Sequence, residues 1–334
     1  MNKLISSLNY NDAILITAPP GWGKTYKLLH AIQKTKRKTV FIFPLRALCD
    51  EVHLSAVSKN IRVLNLRSME DYQSLSSVSY ELVVVTPELF KFCDELSDFL
   101  FVIDEFHLFY YWGDTFRERM QEMYMELTSY SVPVMFLTAT LGESQYKRLR
   151  TELALNYENI YHLNMGNQTL MNLPRKVFYY PRFFRKWLDE DYCFAAKRGT
   201  SLIFCQYRDE VKEIASHLKN HGHTVLSCVG GEAAMFIQQL NSLKKVDFIV
   251  ATSVVSHGVN LPKIRNIYFT YNVQNLDFYL QMLGRGGRAG EGFNVHVLST
   301  QYFSKKTIVM GFLGILTKRL GNKINSYIYY LYAH

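Results

Sequence analysis

The chain has no C-x-x-C pair, and none of its five cysteines, Cys49, Cys93, Cys193, Cys205 and Cys228, has a histidine at zinc or iron–sulfur spacing. A disulfide framework and a metal knuckle are thereby excluded, and the cysteines are expected to be buried thiols in a reducing cytoplasm. Long apolar runs are missing too. "TIVMGFLGILT" covers about half of the ~20 residues a membrane span needs, and the opening "MNKLISSLNYND" carries no apolar export signal. A cytoplasmic protein with no membrane partner is expected. Low-complexity tracts and short repeats are absent, which excludes a solenoid. Acidic residues are in deficit, with 29 Asp+Glu against 38 Lys+Arg, a net charge of +9. That balance favours a polyanionic partner, nucleic acid before a membrane.

What is present is core. The 334 residues, 48% hydrophobic and 20% charged, are too many for one ordinary hydrophobic interior and suit two domains of ~150 residues. Short β-rich runs alternate with stretches of helical period: "AILITA", "TVFIFP", "ELVVVTP", "FLFVID" and "PVMFLTAT" in the first half, then "KVFYY", "TSLIFC", "HTVLSC", "VDFIVAT", "IRNIYFTY" and "FNVHVLS". This pattern predicts α/β domains with parallel sheets. Gly222 is placed to end the helix of "DEVKEIASHLKNHG". Polar residues and Pro174 interrupt both periods near 165–176, which sets the expected organisation as 1–165, a linker 166–176, 177–300, and a tail 301–334. The tail is either a helix packed on the second domain or a docking surface for a protein partner.

Two segments carry chemistry. In "ILITAPPGWGKTYKLL" a flexible turn follows a strand and precedes a helix, the context of a phosphate-binding loop. Gly21 and Gly23 let backbone N–H groups face phosphate oxygens, Lys24 brings charge, and Thr25 offers a hydroxyl to Mg²⁺. Ala18 stands where the G-x-x-x-x-G-K-[ST] pattern has its first glycine. In "LFVIDEFHLF" an apolar run ends in the adjacent carboxylates Asp104 and Glu105, with His107 close behind. Buried acids need a compensating cation, and Mg²⁺ with bound nucleotide supplies it.

These residues resemble the superfamily 2 helicases, and further motifs follow in that family's order. "APPGWGKT" resembles motif I, "FPLRALCDE" Ia, "VVTPELF" Ib, "DEFH" a DExH-type motif II, "TATL" III, "LIFCQYRDEV" IV, "ATSVVSHGVNLP" V and "QMLGRGGRAG" VI. The resemblance spans about residues 13–295 and implies two tandem RecA-like domains with the nucleotide in an interdomain cleft. It implies ATP and Mg²⁺ as cofactors, with Ala18, Pro19, Pro20, Gly21, Trp22, Gly23, Lys24, Thr25, Gly258 and Asn260 on the nucleotide. Thr25 and Asp104 would hold the metal. Glu105 would orient and deprotonate the attacking water, with Lys24, Gln281, Arg285 and Arg288 acting on the phosphates. His107, Thr138 and Thr140 would link hydrolysis to movement, while Arg46, Thr86 and Thr252 would contact a single strand of nucleic acid, DNA in preference to RNA.

The sequence departs from the family in places. No glutamine precedes the phosphate loop, Met282 replaces a common arginine, and Asn260 replaces an aspartate. Lys263–Leu280 leaves room for one strand and one helix, without a strand-separating hairpin. "IDEFHLF" looks most like CRISPR-associated helicase subunits, with a stand-alone viral or mobile-element helicase as the other fit. Residues 1–17 contain no histidine for an HD-type nuclease. "PRKVFYYPRFFRKW" reads equally as a stacking groove and as a linker. The expected activity is an ATP-dependent helicase or translocase; a nucleotide-switched clamp that hydrolyses ATP without processive unwinding is the alternative.

Overall fold

The computed structural model describes residues 1–181, 199–256, 259–288 and 290–299. It comprises two compact units, Met1–Met171 and Asn172–His334. The tail 301–334, Gly258 and Cys193 lie outside the described residues.

The first unit runs α1 (Asn2–Ser7), β1 (Asp12–Thr17), α2 (Lys24–Thr35), β2 (Thr39–Ile42), α3 (Arg46–Ser58), β3 (Val63–Asn65), α4 (Gln73–Ser77), β4 (Leu82–Val85), β5 (Leu100–Ile103), α5 (His107–Gly113), α6 (Glu118–Ser129), β6 (Val134–Thr138), α7 (Glu143–Leu153) and β7 (Asn159–Asn164). Its seven strands are parallel in the order β3-β4-β2-β5-β6-β1-β7. The runs TVFI, LVVV and LFVI are buried at every position because helices cover both faces of the sheet. Each of the five expected strands of this half is present. β3 and β7 are additional. They hold the two sheet edges, and β7, NIYHLN, is almost entirely exposed, so neither has an apolar run to announce it.

The second unit runs β8 (Lys176–Pro181), β9 (Thr200–Phe204), α8 (Arg208–Asn220), β10 (Val225–Cys228), α9 (Ala233–Ser242), β11 (Phe248–Ala251), β12 (Ile264–Phe269), α10 (Leu276–Leu283) and β13 (Asn294–Ser299). Its strands are parallel in the order β10-β11-β9-β12-β13-β8. α8 buries Val211, Ile214, Ala215 and Leu218, an i, i+3, i+4, i+7 stripe, and stops two residues before Gly222. Each Val, Ile or Leu so buried contributes about 1.5–3 kcal/mol. Asn275 caps α10, its side-chain oxygen accepting from the N–H groups of Asp277 and Phe278. Lys263–Leu280 does hold one strand, β12, and the start of one helix, α10.

Cys49, Cys205 and Cys228 are buried free thiols, and burial pushes those of Cys49 and Cys228 up to about 12. Cys93 corrects the expectation, since it is only half-buried. Among the described residues no helix is long and apolar enough to cross a membrane.

Candidate functional site

β5, β6 and β1 are neighbours in a parallel sheet, so the segments leaving their carboxyl ends emerge side by side. The segment after β1 is the phosphate loop. Ala18 N–H donates to Thr138 O and Trp22 N–H to Pro19 O, which fold Pro19–Trp22 into a tight turn. Gly23 lies at φ +80° with nothing within 4 Å of where a Cβ would sit. Its constraint is therefore the left-handed backbone and not space. α2 starts at Lys24, leaving the first N–H groups of a twelve-residue helix pointed outward, as an anion site requires. Lys24 Nζ donates to Ala18 O at 3.2 Å. Ala18 has no positive φ, so a Cβ is accommodated where the usual pattern has glycine. Pro20 and Gly21 complete the turn, and Lys27 Nζ sits 4.1 Å above the Trp22 ring.

The segment after β5 carries the acid pair. Asp104 is buried; its Oδ1 accepts from Glu105 N–H at 2.9 Å and its Oδ2 from Thr25 Oγ1 at 3.4 Å. Glu105 has φ +47°, a conformation that costs a residue with a Cβ about 1–3 kcal/mol and breaks the in–out alternation of the strand. Phe106 N–H then donates to Leu137 O, pinning the turn to β6. Burial first, and the Glu105 charge second, push the Asp104 carboxyl up to about 7, with Lys24 pulling the other way. Two adjacent acids held in this way, with a threonine hydroxyl beside them, are the oxygen donors a Mg²⁺ ion takes while keeping several waters. A cation there would relieve the penalty that raises Asp104.

His107 opens α5 and is buried, with Nδ1 2.9 Å from Thr138 Oγ1. Thr138 spends its single hydroxyl proton on Thr140 O at 2.8 Å, so the hydrogen between histidine and threonine belongs to Nδ1. Burial, and secondarily Lys24, lower the His107 pKa to about 3. The imidazole is neutral, and its 3.6 Å approach to Glu105 Oε2 is not an ion pair. A chain of contacts thus runs from the acids through His107 to both threonines of "TATL".

The strand-contact candidates follow other carboxyl ends. Arg46, expected to contact a single strand, is the first residue of α3, after β2, and its side chain is engaged within the unit. Its guanidinium donates to Leu66 O and to the Asn65 side chain, and pairs with Asp50, which also pairs with Arg67. Thr86 follows β4, is buried, and its carbonyl caps the turn by accepting from Leu89 and Phe90. In the second unit Thr252 follows β11, its N–H donating to Cys228 O. Gln281 on α10 is buried. Arg285 is buried as well, and its guanidinium donates to Val259 O, which joins the residue before Asn260 to the loop after α10. Arg288 is exposed at the surface and donates from Nε to Gly284 O at 2.9 Å. Asn260 lines an open groove of about 510 Å³ with Lys244, Lys245, Lys263 and Arg265.

Two family models match the sequence, the DEAD/DEAH box helicase over residues 2–149 and the helicase conserved C-terminal domain over residues 185–290. The chain belongs to the superfamily 2 helicases. It is similar to the ATP-dependent helicase SGS1 of Saccharomyces cerevisiae, 23% identical over 310 residues that span 83% of this chain and 21% of that protein. It is also similar to the ATP-dependent DNA helicase RecQ of Haemophilus influenzae, 25% identical over 310 residues, 85% of this chain and 48% of that one. The chain therefore spans between about a fifth and a half of these relatives. Among solved structures, S. cerevisiae Dbp5 bound to RNA and ADP BeF3 superposes with a TM-score of 0.67 at 15% identity, covering 92% of this chain and 83% of that one. The DEAD-box helicase Mss116 bound to ssRNA and UDP-BeF gives 0.67 at 16%, covering 92% and 69%. These likenesses show the fold, two parallel-sheet RecA-like domains.

The helicase core also holds its motifs with side chains that no motif announced. Glu152 on α7 accepts from Tyr110 on α5 (2.7 Å), Tyr124 on α6 (2.9 Å) and Arg148 Nε (2.8 Å), bracing the helix after "DEFH" against the helix after "TATL". Asn164, the last residue of β7, bonds to Thr17 at the end of β1, and Asn167 beyond it bonds to Leu141. Only the pairing of β7 with β1 puts them there. Spacing along the chain contains no signal for them.

Proposed function

We propose that the chain is a Mg²⁺- and ATP-dependent nucleic-acid translocase or helicase core whose hydrolysis is stimulated by a single strand. The observation that carries this reading is the continuous set Thr25, Asp104, Glu105, His107 and Thr138 at the ends of β1, β5 and β6, with Glu105 held in a strained backbone conformation. Strain of this kind persists where the surroundings enforce it, and it sets the second acid apart from the metal-facing first. Lys24 and the first N–H groups of α2 bind the phosphates. Thr25 and Asp104 hold Mg²⁺, which when bound supplies charge neutralisation on the phosphate oxygens. Glu105 orients the attacking water and accepts its proton. Gln281, Arg285 and Arg288 meet the charge developing on the transferred phosphoryl group. His107, Thr138 and Thr140 pass the change at the acids to the end of β6, and Arg46, Thr86 and Thr252 hold the strand by its phosphates.

DNA is the proposed strand, because similar curated proteins are named DNA helicases. The test is hydrolysis of ATP measured with single-stranded DNA, single-stranded RNA and duplex across a salt series, for the natural chain and for Glu105→Gln. Stimulation by DNA that Glu105→Gln abolishes supports the reading; stimulation that survives the substitution removes it. The short Lys263–Leu280 stretch favours one second reading, a clamp that closes on nucleic acid without separating strands. A forked duplex separates the two, since a clamp hydrolyses ATP and releases no strand.

A further inference from the structure

The turn Asn164–Thr169 touches both the phosphate loop and "TATL", and it stands just before the division between the units at Met171. On one side Met165 N–H donates to Thr17 O at 2.7 Å, and Asn164 Oδ1 accepts from Thr17 Oγ1 at 3.3 Å, immediately before the loop begins. The turn is closed by Asn164 Oδ1, which also accepts from the N–H groups of Gly166 (3.0 Å) and Asn167 (2.9 Å). Gly166 has φ +121°, and a Cβ there would lie 3.0 Å from Pro19 Cγ, so the turn presses on the phosphate loop itself. On the other side Asn167 grips Leu141 at two points. Its Oδ1 accepts from Leu141 N–H and its Nδ2 donates to Leu141 O, each at 2.9 Å. Gln168 N–H donates to Ala139 O, between the two threonines of "TATL".

A side-chain amide that satisfies both main-chain groups of one residue fixes that residue in position and orientation. Here the residue fixed is the one that leaves "TATL", and the one fixing it lies four residues short of the unit boundary. We propose that the turn is the mechanical link between nucleotide and strand binding, with Asn167 as its positioning residue. Displacement of "TATL" or of Pro19 is carried through Asn167 and Gly166 into the chain that leads to the second unit. This proposal rests on the proposed function. It adds the route by which the nucleotide site acts on the rest of the molecule, through Asn167, which that reading assigns to neither phosphate nor strand.

The test measures coupling in the full chain as a ratio, the affinity for a fluorescent single-stranded DNA with a non-hydrolysable ATP analogue divided by the affinity without nucleotide. In Asn167→Ala the ratio is expected to fall at least about fivefold towards one, while strand affinity without nucleotide and nucleotide affinity without strand stay within about twofold. Thr169→Ala removes only the turn's own bond from Thr169 Oγ1 to Gly166 O and serves as the control for a merely structural role. Asn167→Ala uncoupled and Thr169→Ala coupled supports the proposal. It is overturned if Asn167→Ala keeps the natural ratio, or if both variants lose it together with melting temperature. A natural chain whose ratio is one overturns the proposed function itself, and the link falls with it.

Discussion

In Met1–Met171 the candidate side chains gather where neighbouring strands end, whereas in Asn172–His334 they divide between the carboxyl and amino ends of the strands. Thr252 follows the end of β11, but Val259–Lys263 leads to the start of β12, and the loop containing Arg285 and Arg288 leads to the start of β13. The difference follows from what each segment does next. The loops of the first unit open helices at the carboxyl ends of its strands, while in the second unit only twelve positions separate Thr252 from Ile264, the first residue of β12. The candidates of one unit are therefore concentrated, and those of the other lie at both ends of its strands.

The polar chemistry differs in the same way. The first unit keeps the buried Asp104 next to the left-handed Glu105 and a neutral histidine, an arrangement that costs stability. In the second unit the buried cation Arg285 donates to the Val259 carbonyl, so this side chain ties the loop after α10 to the residue before Asn260. Arg288 is exposed, and its Nε donates to Gly284 O within its own turn.

The comparison can be broken most sharply at the concentrated site. Lys24→Ala is expected to lower strand-stimulated hydrolysis by about 10²–10³-fold, with the fold intact by circular dichroism. A loss below tenfold would remove the phosphate loop from the proposed centre. The second largest effect separates the two arginines. Arg285→Ala is expected to cost about 2–3 kcal/mol of unfolding free energy in addition to hydrolysis, because it strips a buried carbonyl of its charged donor. Arg288→Ala is expected to reduce hydrolysis with a stability change within about 0.5 kcal/mol. Equal denaturation midpoints for the two variants would contradict the division drawn here.

The acid pair gives a pH signature. Because the folded protein retains the Asp104 proton where the unfolded chain has lost it, nucleotide-free stability declines as pH rises from the ordinary carboxylate value of 3.8 to about 7. Asp104→Asn is expected to melt a few degrees above the natural chain at pH 8, the gap closing at pH 4. Parallel melting curves across that range would show that burial does not hold the proton. The smallest effect belongs to the residue that follows β11, where Thr252→Val is expected to weaken strand binding about threefold, within the ~1 kcal/mol of one neutral hydrogen bond, and to leave nucleotide affinity unchanged.

How far the sequence carried differs between features. All eleven apolar strand runs became strands, the central ones because a doubly covered parallel strand must be apolar along its whole length. The edge strands β3 and β7 escaped, since neither is buried enough to require an apolar run. The phosphate loop and the acid pair were legible because their residue types and spacing are dictated by phosphate and by burial. Arg46 was legible as a position and not as a state, since its engagement by Leu66, Asn65 and Asp50 depends on where β3 ends.

The sequence by itself determined two α/β domains, a nucleotide site and the order of its motifs, since these follow from local periodicity and from residues that phosphate chemistry requires close together in the chain. Only the tertiary structure decided the left-handed Glu105, the direction of the proton between His107 and Thr138, the burial of Arg285 and the grip of Asn167 on Leu141. Each of these joins segments distant in sequence, or depends on packing around a turn, and no rule of spacing reaches across a sheet.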